Sequence, residues 1–443
     1  MLQQLIMSMV SLIDNFMVAG LGDISMAAVN VTNQINFIFI VSVNAICGAG
    51  GIYLAQFNGA KDTAGMKHAY RFKMLLAGAV AAVYFILCHL IPRPMLSMMT
   101  MGNAAQGEIV DTGIRYLRLI SFTLIPMAIS AAIGSSYREI GRPNVPLIIS
   151  AAATLVNTAG NWLLIYGNLG APRLEVSGAA LATILARLAE MTAFLIYVRV
   201  SRKGTAPFFV KFRKMLEVDR RLIVEILAKS GMMFLSEASW VTSETIMTAL
   251  YNGRGGAEVV AGMAAGWTIA NIFFLLFGGI WTASAILVGG SLGAGELDEA
   301  RRRGGWIKSG AAVAGCVIAV IGAGAATGLI PLVFSNLTDA ARRISLGLIY
   351  VILICMPLWS LLNAQFAICR AGGDTVMGMY VDGLVNVLLL IPGAFALALL
   401  TPLHPVAMFA VLKATDIVKY LMAQHWYKKE RWVKNLTKRD MAG

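Results

Sequence analysis

The sequence predicts an all-α integral membrane protein with twelve transmembrane helices in two six-helix, pseudo-symmetric halves. Three observations carry this: apolar stretches long enough to cross a bilayer recur from end to end, basic residues gather in alternate loops, and the second half of the chain repeats features of the first. Of 443 residues, 58% are hydrophobic and 13% charged, more apolar surface than a soluble core of this size would bury. A crossing helix needs about twenty apolar residues for a hydrocarbon layer roughly 30 Å thick.

Taken in order, residues 1–19 form an apolar stretch without a basic lead, read as a retained helix and not a cleaved signal. The second stretch, 28–56, is glycine-rich and ends at Gln56-Phe57-Asn58-Gly59-Ala60. The third is 74–93, the fourth 112–137 with Pro126, the fifth 144–166 with Asn157 and Asn161, and the sixth 177–199 with Thr183. A basic segment, 201–221, follows as a cytoplasmic linker and hinge candidate. The seventh stretch, 222–250, holds Glu237, Trp240 and Glu244, and the eighth, 259–291, holds Trp267 and Trp281. The ninth is 306–333, where Gly322, Gly324 and Gly328 are read as close-packing positions. The tenth, 344–369, carries Pro357 and Trp359; 376–399 and 403–427 complete the set. Proline inside a helix frees a backbone carbonyl, which makes Pro126 and Pro357 hinge candidates or static kinks.

A net charge of +13 raises nucleic acid as a partner, but the placement of charge excludes it. With a cytoplasmic N-terminus, the inside segments hold 25 of the 36 Lys and Arg residues, as expected when short cytoplasmic loops collect positive charge. That alternation requires twelve crossings with both termini inside. The halves match at offsets near 230: Gln56–Ala60 with Gly290–Ala294 at 234, Pro126 with Pro357 and Gly141 with Gly372 at 231, and Leu155-Val156-Asn157 with Leu384-Val385-Asn386 at 229. Six helices per repeat is an even number, so the repeats are parallel, about an axis along the membrane normal. The lobes are therefore expected at 1–200 and 222–443. The five cysteines lack metal-site or disulfide spacing and are read as packing residues.

An intramembrane carboxylate costs roughly 2.5 to 3.5 kcal/mol on insertion scales, so each needs a partner or a function. Asp14 has no basic residue one helical turn away. Asn157 and Asn161, at i and i+4, share a helix face, and Thr183 lies i+4 from Ala179. One carboxylate with neutral oxygens suits Na+, and Asp14 could equally take a proton; the asparagines could instead glue helices together. Glu237 and Glu244, seven apart, face one way and are substrate-cavity candidates, as are Trp240, Trp267 and Trp359, whose rings attract organic cations. The opposite-charge pairs Arg187 with Glu190 and Lys413 with Asp416, each i and i+3, are expected to be structural. No Walker loop, His-Glu-x-x-His or Gly-x-Ser-x-Gly motif is present, so the protein is read as no enzyme, with no cofactor beyond a coupling ion.

Ile13-Asp14-Asn15-Phe16-Met17-Val18-Ala19-Gly20-Leu21-Gly22, Gln56–Ala60, Arg138–Pro143, Asn157-x-x-x-Asn161-Trp162, Gly178–Thr183 and Gly289–Gly295 together resemble the multidrug and toxic compound extrusion (MATE) antiporters over nearly the whole chain. The resemblance implies two six-helix lobes in a V around a central cavity, alternating access, and export of small organic, cationic compounds in exchange for Na+ or H+. It implies an ion site at Asp14, Asn157, Asn161 and Thr183, with the backbone carbonyl of Ala179. It also implies a monomer in the lipid bilayer of a prokaryotic inner membrane. Many relatives have Asp at the place of Asn161, and some have acids in the seventh helix, where Glu237 stands near, and in the tenth, where none appears around Trp359 and Ser360; relatives also begin earlier, so the first helix is expected to be incomplete. A flippase for a lipid-linked saccharide, from the same superfamily, is the alternative.

Overall fold

The computed structural model describes residues 23–100, 106–201, 206–217, 219–334 and 337–437. Among them there is no strand. The helices are α1 (Asp23–Gly59), α2 (Thr63–Leu90), α3 (Pro92–Met99), α4 (Gln106–Ile120), α5 (Leu124–Glu139), α6 (Asn144–Tyr166), α7 (Glu175–Ser201), α8 (Arg220–Asn252), α9 (Ala257–Ala283), α10 (Gly290–Ala294), α11 (Leu297–Val333), α12 (Asp339–Ala371), α13 (Val376–Val385), α14 (Ile391–Leu400), α15 (Pro405–Lys413) and α16 (Thr415–Lys428). Nine helices among the described residues are long and apolar enough to cross a bilayer; they stand at the second to sixth and eighth to eleventh expected stretches. The first stretch lies outside the described residues. At the seventh, α8 runs for 33 residues, about 50 Å at 1.5 Å per residue, with Glu225, Lys229, Glu237 and Glu244 spread along it. The twelfth stretch is divided between α15 and α16, with Ala414 between them.

Among the described residues, 23–54 and 62–230 form one compact unit and 55–61 with 231–437 a second. The unit boundary therefore crosses α8 and the last turn of α1. In lipid, helices gain little from hiding apolar surface from one another, and small residues that allow close approach take over. In the first unit Ala28, Ala77, Ala81, Ala132, Ala180 and Ala182 are buried. A Cβ on Gly160 would stand 3.0 Å from that of Ala182, and Gly178 abuts the backbone of Leu164, which binds α6 to α7. Asp62 caps α2 by accepting from the N–H groups of Ala64 and Gly65, each at 3.0 Å. Between α4 and α5 the chain tightens into a 3-10 turn, Ser121–Thr123. Pro126 follows at once; lacking an N–H, it leaves the Phe122 carbonyl without its helical partner.

The described part of the inter-half segment is docked on the first unit. Phe208 is fully buried, its ring 5.0 Å from Tyr70 and 5.2 Å from Tyr137. The Arg71 guanidinium donates to the Glu217 carbonyl at 2.6 Å. Nearby, Lys73 pairs with Glu139 at 2.7 Å and donates to Ser136 at 3.0 Å.

In the second unit α12 is the spine. Ile344, Leu348, Ile352 and Met356 are buried with Met263, Ala270 and Phe409. Gly262 and Gly266 of α9 bring that helix against Ala341 and Leu348. Gly315 sits on Pro357, which lies inside the unbroken α12. Of Gly322, Gly324 and Gly328, only Gly322 packs closely, against Leu353 and Phe273; a Cβ on Gly324 or Gly328 would meet nothing within 4 Å.

The repeated segments Gln56–Ala60 and Gly290–Ala294 lie against each other in this unit. Gly59 touches Gly290, and Gly293 touches Gln56. The contact is reciprocal, because the offset of 234 relates Gln56 to Gly290 and Gly59 to Gly293. Gln56 ties it together, donating to the Ala371 carbonyl at 3.0 Å and accepting from the Leu436 N–H at 2.7 Å.

Candidate functional site

Two groups of polar residues stand out within the spans, one in each unit. In the first, Asn157 and Asn161 are buried on α6. The Asn157 amide donates to the Thr183 hydroxyl at 3.2 Å, and that hydroxyl donates to the Ala179 carbonyl at 2.9 Å. Asn157, Thr183 and Ala179 thus form one hydrogen-bonded chain between α6 and α7. Asn161 is buried one turn further along the same face. Asp14 lies outside the described residues.

The second group lines a cavity of about 660 Å3 in the second unit. Glu237, Glu244, Trp240, Trp267 and Trp359 all line it, so the expected common face of α8 is turned inward. Their partners differ from what spacing suggests. Lys413 and Asp416, expected to pair with each other, do not. Lys413 instead bonds Glu244 at 2.6 Å. Asp416 accepts from the Trp359 indole at 2.8 Å and lies 3.6 Å from Lys419, whose ammonium is also 3.2 Å from Asp382. A direct 2.6 Å contact across helices in a low-dielectric wall outweighs an i, i+3 surface pair. Arg187 and Glu190 do pair, at 2.8 Å, with Ser150 also donating to Glu190 at 2.8 Å.

Arg370, one residue beyond the tenth stretch, lines the cavity. Its guanidinium stacks 4.8 Å over the Trp281 ring and lies 3.9 Å from Glu237. Trp281 donates to Asn363 at 3.2 Å, and Asn363 donates back to the Trp359 carbonyl at 3.0 Å. Asp374 accepts from the Trp426 indole at 2.7 Å. The lining therefore holds five acids, Glu237, Glu244, Asp374, Asp382 and Asp416, against three bases, Arg370, Lys413 and Lys419. The Lys413 and Lys419 side chains lie deep, 8% and 7% exposed, beside Asp416 at 9%, while Arg370 is 21% and Glu237 44% exposed. Glu237 is thus the most open of these charged groups.

Local backbone departures cluster here. The run Asn386–Leu390 is π-helical, a deviation frequent at functional positions. Asn386 is fully buried; its amide nitrogen reaches Ser239 at 3.4 Å, and among the described residues its amide oxygen has no hydrogen-bond partner. It is the repeat counterpart of Asn157. Ile417 bonds back to Ala414 at 3.1 Å, a tightened turn that separates α15 from α16 between Lys413 and Asp416. Sequence reasoning missed Asp382, Lys419 and Arg370 as cavity residues. The signal available was their charge inside or beside apolar stretches.

The MatE family model matches residues 1–163 and 233–396. The chain belongs to the MatE family. It is 23% identical over 422 residues to the "Probable multidrug resistance protein YoeA" of Bacillus subtilis (strain 168), across 92% of this chain and 86% of that one. It is 24% identical over 314 residues to the "Probable multidrug resistance protein NorM" of Neisseria meningitidis serogroup A, covering 70% of this chain and 66%, just under two thirds, of that relative. Among solved structures it is similar to one titled "Crystal structure of MATE in the bent conformation", with a TM-score of 0.82 at 17% identity over 97% of this chain and 93% of that one. Another is a MOP superfamily transporter from Pyrococcus furiosus, with a TM-score of 0.82 at 16% identity over 97% and 92%; its title speaks of a "reverse polarity of binding pocket". These structures have the same all-helical fold.

Proposed function

We propose that this protein is a secondary multidrug efflux transporter of a prokaryotic inner membrane, exporting small organic cations in exchange for Na+ or H+. In this reading twelve helices form two six-helix lobes in a V around a central cavity, and alternating access carries substrate across. The observation that carries it is the cavity of the second unit, where acids outnumber bases and line the space together with indole rings. An organic cation is drawn by carboxylates in low dielectric and by the negative faces of aromatic rings. The names of the relatives, multidrug resistance proteins, agree with this. Asn157, Asn161, Thr183 and the Ala179 carbonyl would supply neutral oxygens, and Asp14 would complete an ion site for Na+ or accept the proton.

A flippase for a lipid-linked saccharide would need basic groups open to a pyrophosphate. The three bases here are each held by a carboxylate, and the lining keeps an excess of acid, which favours cations. The test is ethidium export from cells expressing the protein and from proteoliposomes with Na+ and pH gradients imposed separately. Export driven by one gradient, and abolished by Asp14→Asn with protein still in the membrane, is expected. Export that needs neither gradient, or that survives Asp14→Asn, overturns the assignment of Asp14 as coupling residue.

A further inference from the structure

Lys413 occupies an arrangement suited to a ligand. Its ammonium lies 2.6 Å from Glu244, 5.7 Å from the centre of the Trp359 ring and 5.3 Å from that of Phe409. Trp267 stands edge-on to Phe409 at 5.8 Å, and Phe274 lies 6.0 Å from Trp359. A carboxylate opposed by aromatic faces is the environment in which proteins hold organic ammonium groups. Here it is filled by the chain itself.

We propose that the Lys413 ammonium is a tethered occupant of an ammonium cage, which an incoming organic ammonium must displace from Glu244. The proposal deepens the reading of this cavity as the substrate cavity and rests on it. Three features of the wall support displacement over a permanent pair. First, the pair is not sealed: Glu244 keeps 20% exposure and lines the 660 Å3 cavity directly. Second, a lysine ammonium is a compact charge on a flexible four-carbon stem, able to move by rotation alone. Third, it has somewhere to go. Asp416 lies one turn along, at i+3, and its present cation, Lys419, is shared with Asp382 and sits further from Asp416, at 3.6 Å, than from Asp382, at 3.2 Å. A substrate ammonium on Glu244 and Lys413 on Asp416 leaves no buried charge alone and lowers the acid excess by one.

The arrangement acts as a specificity filter. A neutral compound cannot replace the ammonium, because Glu244 would be left without a cation. Selection is thus exerted by a resident competitor, so cations bind more weakly to the wild type than the cage alone allows.

The test is tetramethylammonium binding to the full chain in lipid nanodiscs, followed by calorimetry and by melting temperature. Lys413→Met, which keeps the stem and removes the charge, is expected to tighten binding at least about tenfold, or about 1.4 kcal/mol. Lys413→Met with Glu244→Gln is expected to lose that gain. If Lys413→Met alone melts too early for calorimetry, tetramethylammonium is expected to restore its melting temperature towards wild type without doing so for the double variant. Lys413→Met binding no tighter than wild type, no restoration, or an equal gain in the double variant overturns the proposal. The readout requires no transport. A wild type that exports no organic cation sinks the efflux reading, whereas export by the wild type without tightening in Lys413→Met sinks this inference alone.

Discussion

At the scale of single residues, charge inside the spans is managed by partners from other helices. Lys419 faces both Asp382 and Asp416, so Lys419→Met strands two carboxylates; removing one partner of a buried pair costs about 3 to 5 kcal/mol. The expected result is a large drop in melting temperature, recovered in part by adding Asp382→Asn. Trp359→Phe keeps a ring but leaves Asp416 without its 2.8 Å indole donor; a loss of about 1 to 3 kcal/mol is expected in the same measurement. Thr183→Val removes the hydroxyl that links Asn157 to the Ala179 carbonyl. Under the proposed function it should weaken ion-driven export more than ethidium binding, and an equal loss of both would argue for mere helix glue. The sequence made Glu237 and Glu244 legible, because a separation of seven is two helical turns whatever the neighbours do. It made Lys413 with Asp416 look self-sufficient, because i, i+3 spacing is local. The deciding contact, with Glu244, joins residues 169 apart, and no periodicity records which helix faces which.

At the scale of elements, the repeat carried further than the periodicity. Offsets of 229 and 234 relate Asn157 to Asn386 and Gln56–Ala60 to Gly290–Ala294. Each turns out to mark a built feature: a pair of buried asparagines, and a reciprocal backbone contact. What the repeat left unread was the backbone itself. The π-helical runs at Ser284–Gly289 and Asn386–Leu390 and the turn at Ala414 have no residue signature, because they answer to packing and not to local preference. Glycines in spans also looked alike in sequence but differ in structure. Gly293→Val would drive a side chain into the Gln56 backbone, which cannot yield as a flexible side chain would, whereas Gly324→Val meets open space. The first is expected to release the tail held by Gln56 and Gly293 through Leu436 and Asn435, exposing Lys434 to trypsin; the second is expected to leave cleavage unchanged. Equal protection in both variants would show that the reciprocal contact does not hold the tail.

At the scale of the whole molecule, the apolar belt and the basic loops make independent statements about the same chain. Helices with outward Leu, Ile and Val, such as Ile354 and Leu399, both more than three-quarters exposed, need lipid around them. The belt fixes that the chain spans; it says nothing of which end faces the cytoplasm. That direction rests on 25 of 36 basic residues falling in alternate connections, and the reason is kinetic as well as energetic, since short positively charged loops resist translocation. Two exposed acids on opposite connections give a clean reading. Asp111 precedes the fourth stretch, in a connection expected outside, and Asp298 lies at the start of α11, in one expected inside. Each makes an exposed ion pair, with Arg93 and Arg301 respectively, whose loss costs at most about 1 kcal/mol. In a background with the native cysteines replaced, Asp111→Cys should react with a membrane-impermeant maleimide on intact cells. Asp298→Cys should react only after the membrane is opened or inverted. The reverse pattern would place both termini outside, and reaction of both on intact cells would break the alternation on which the count of twelve crossings depends.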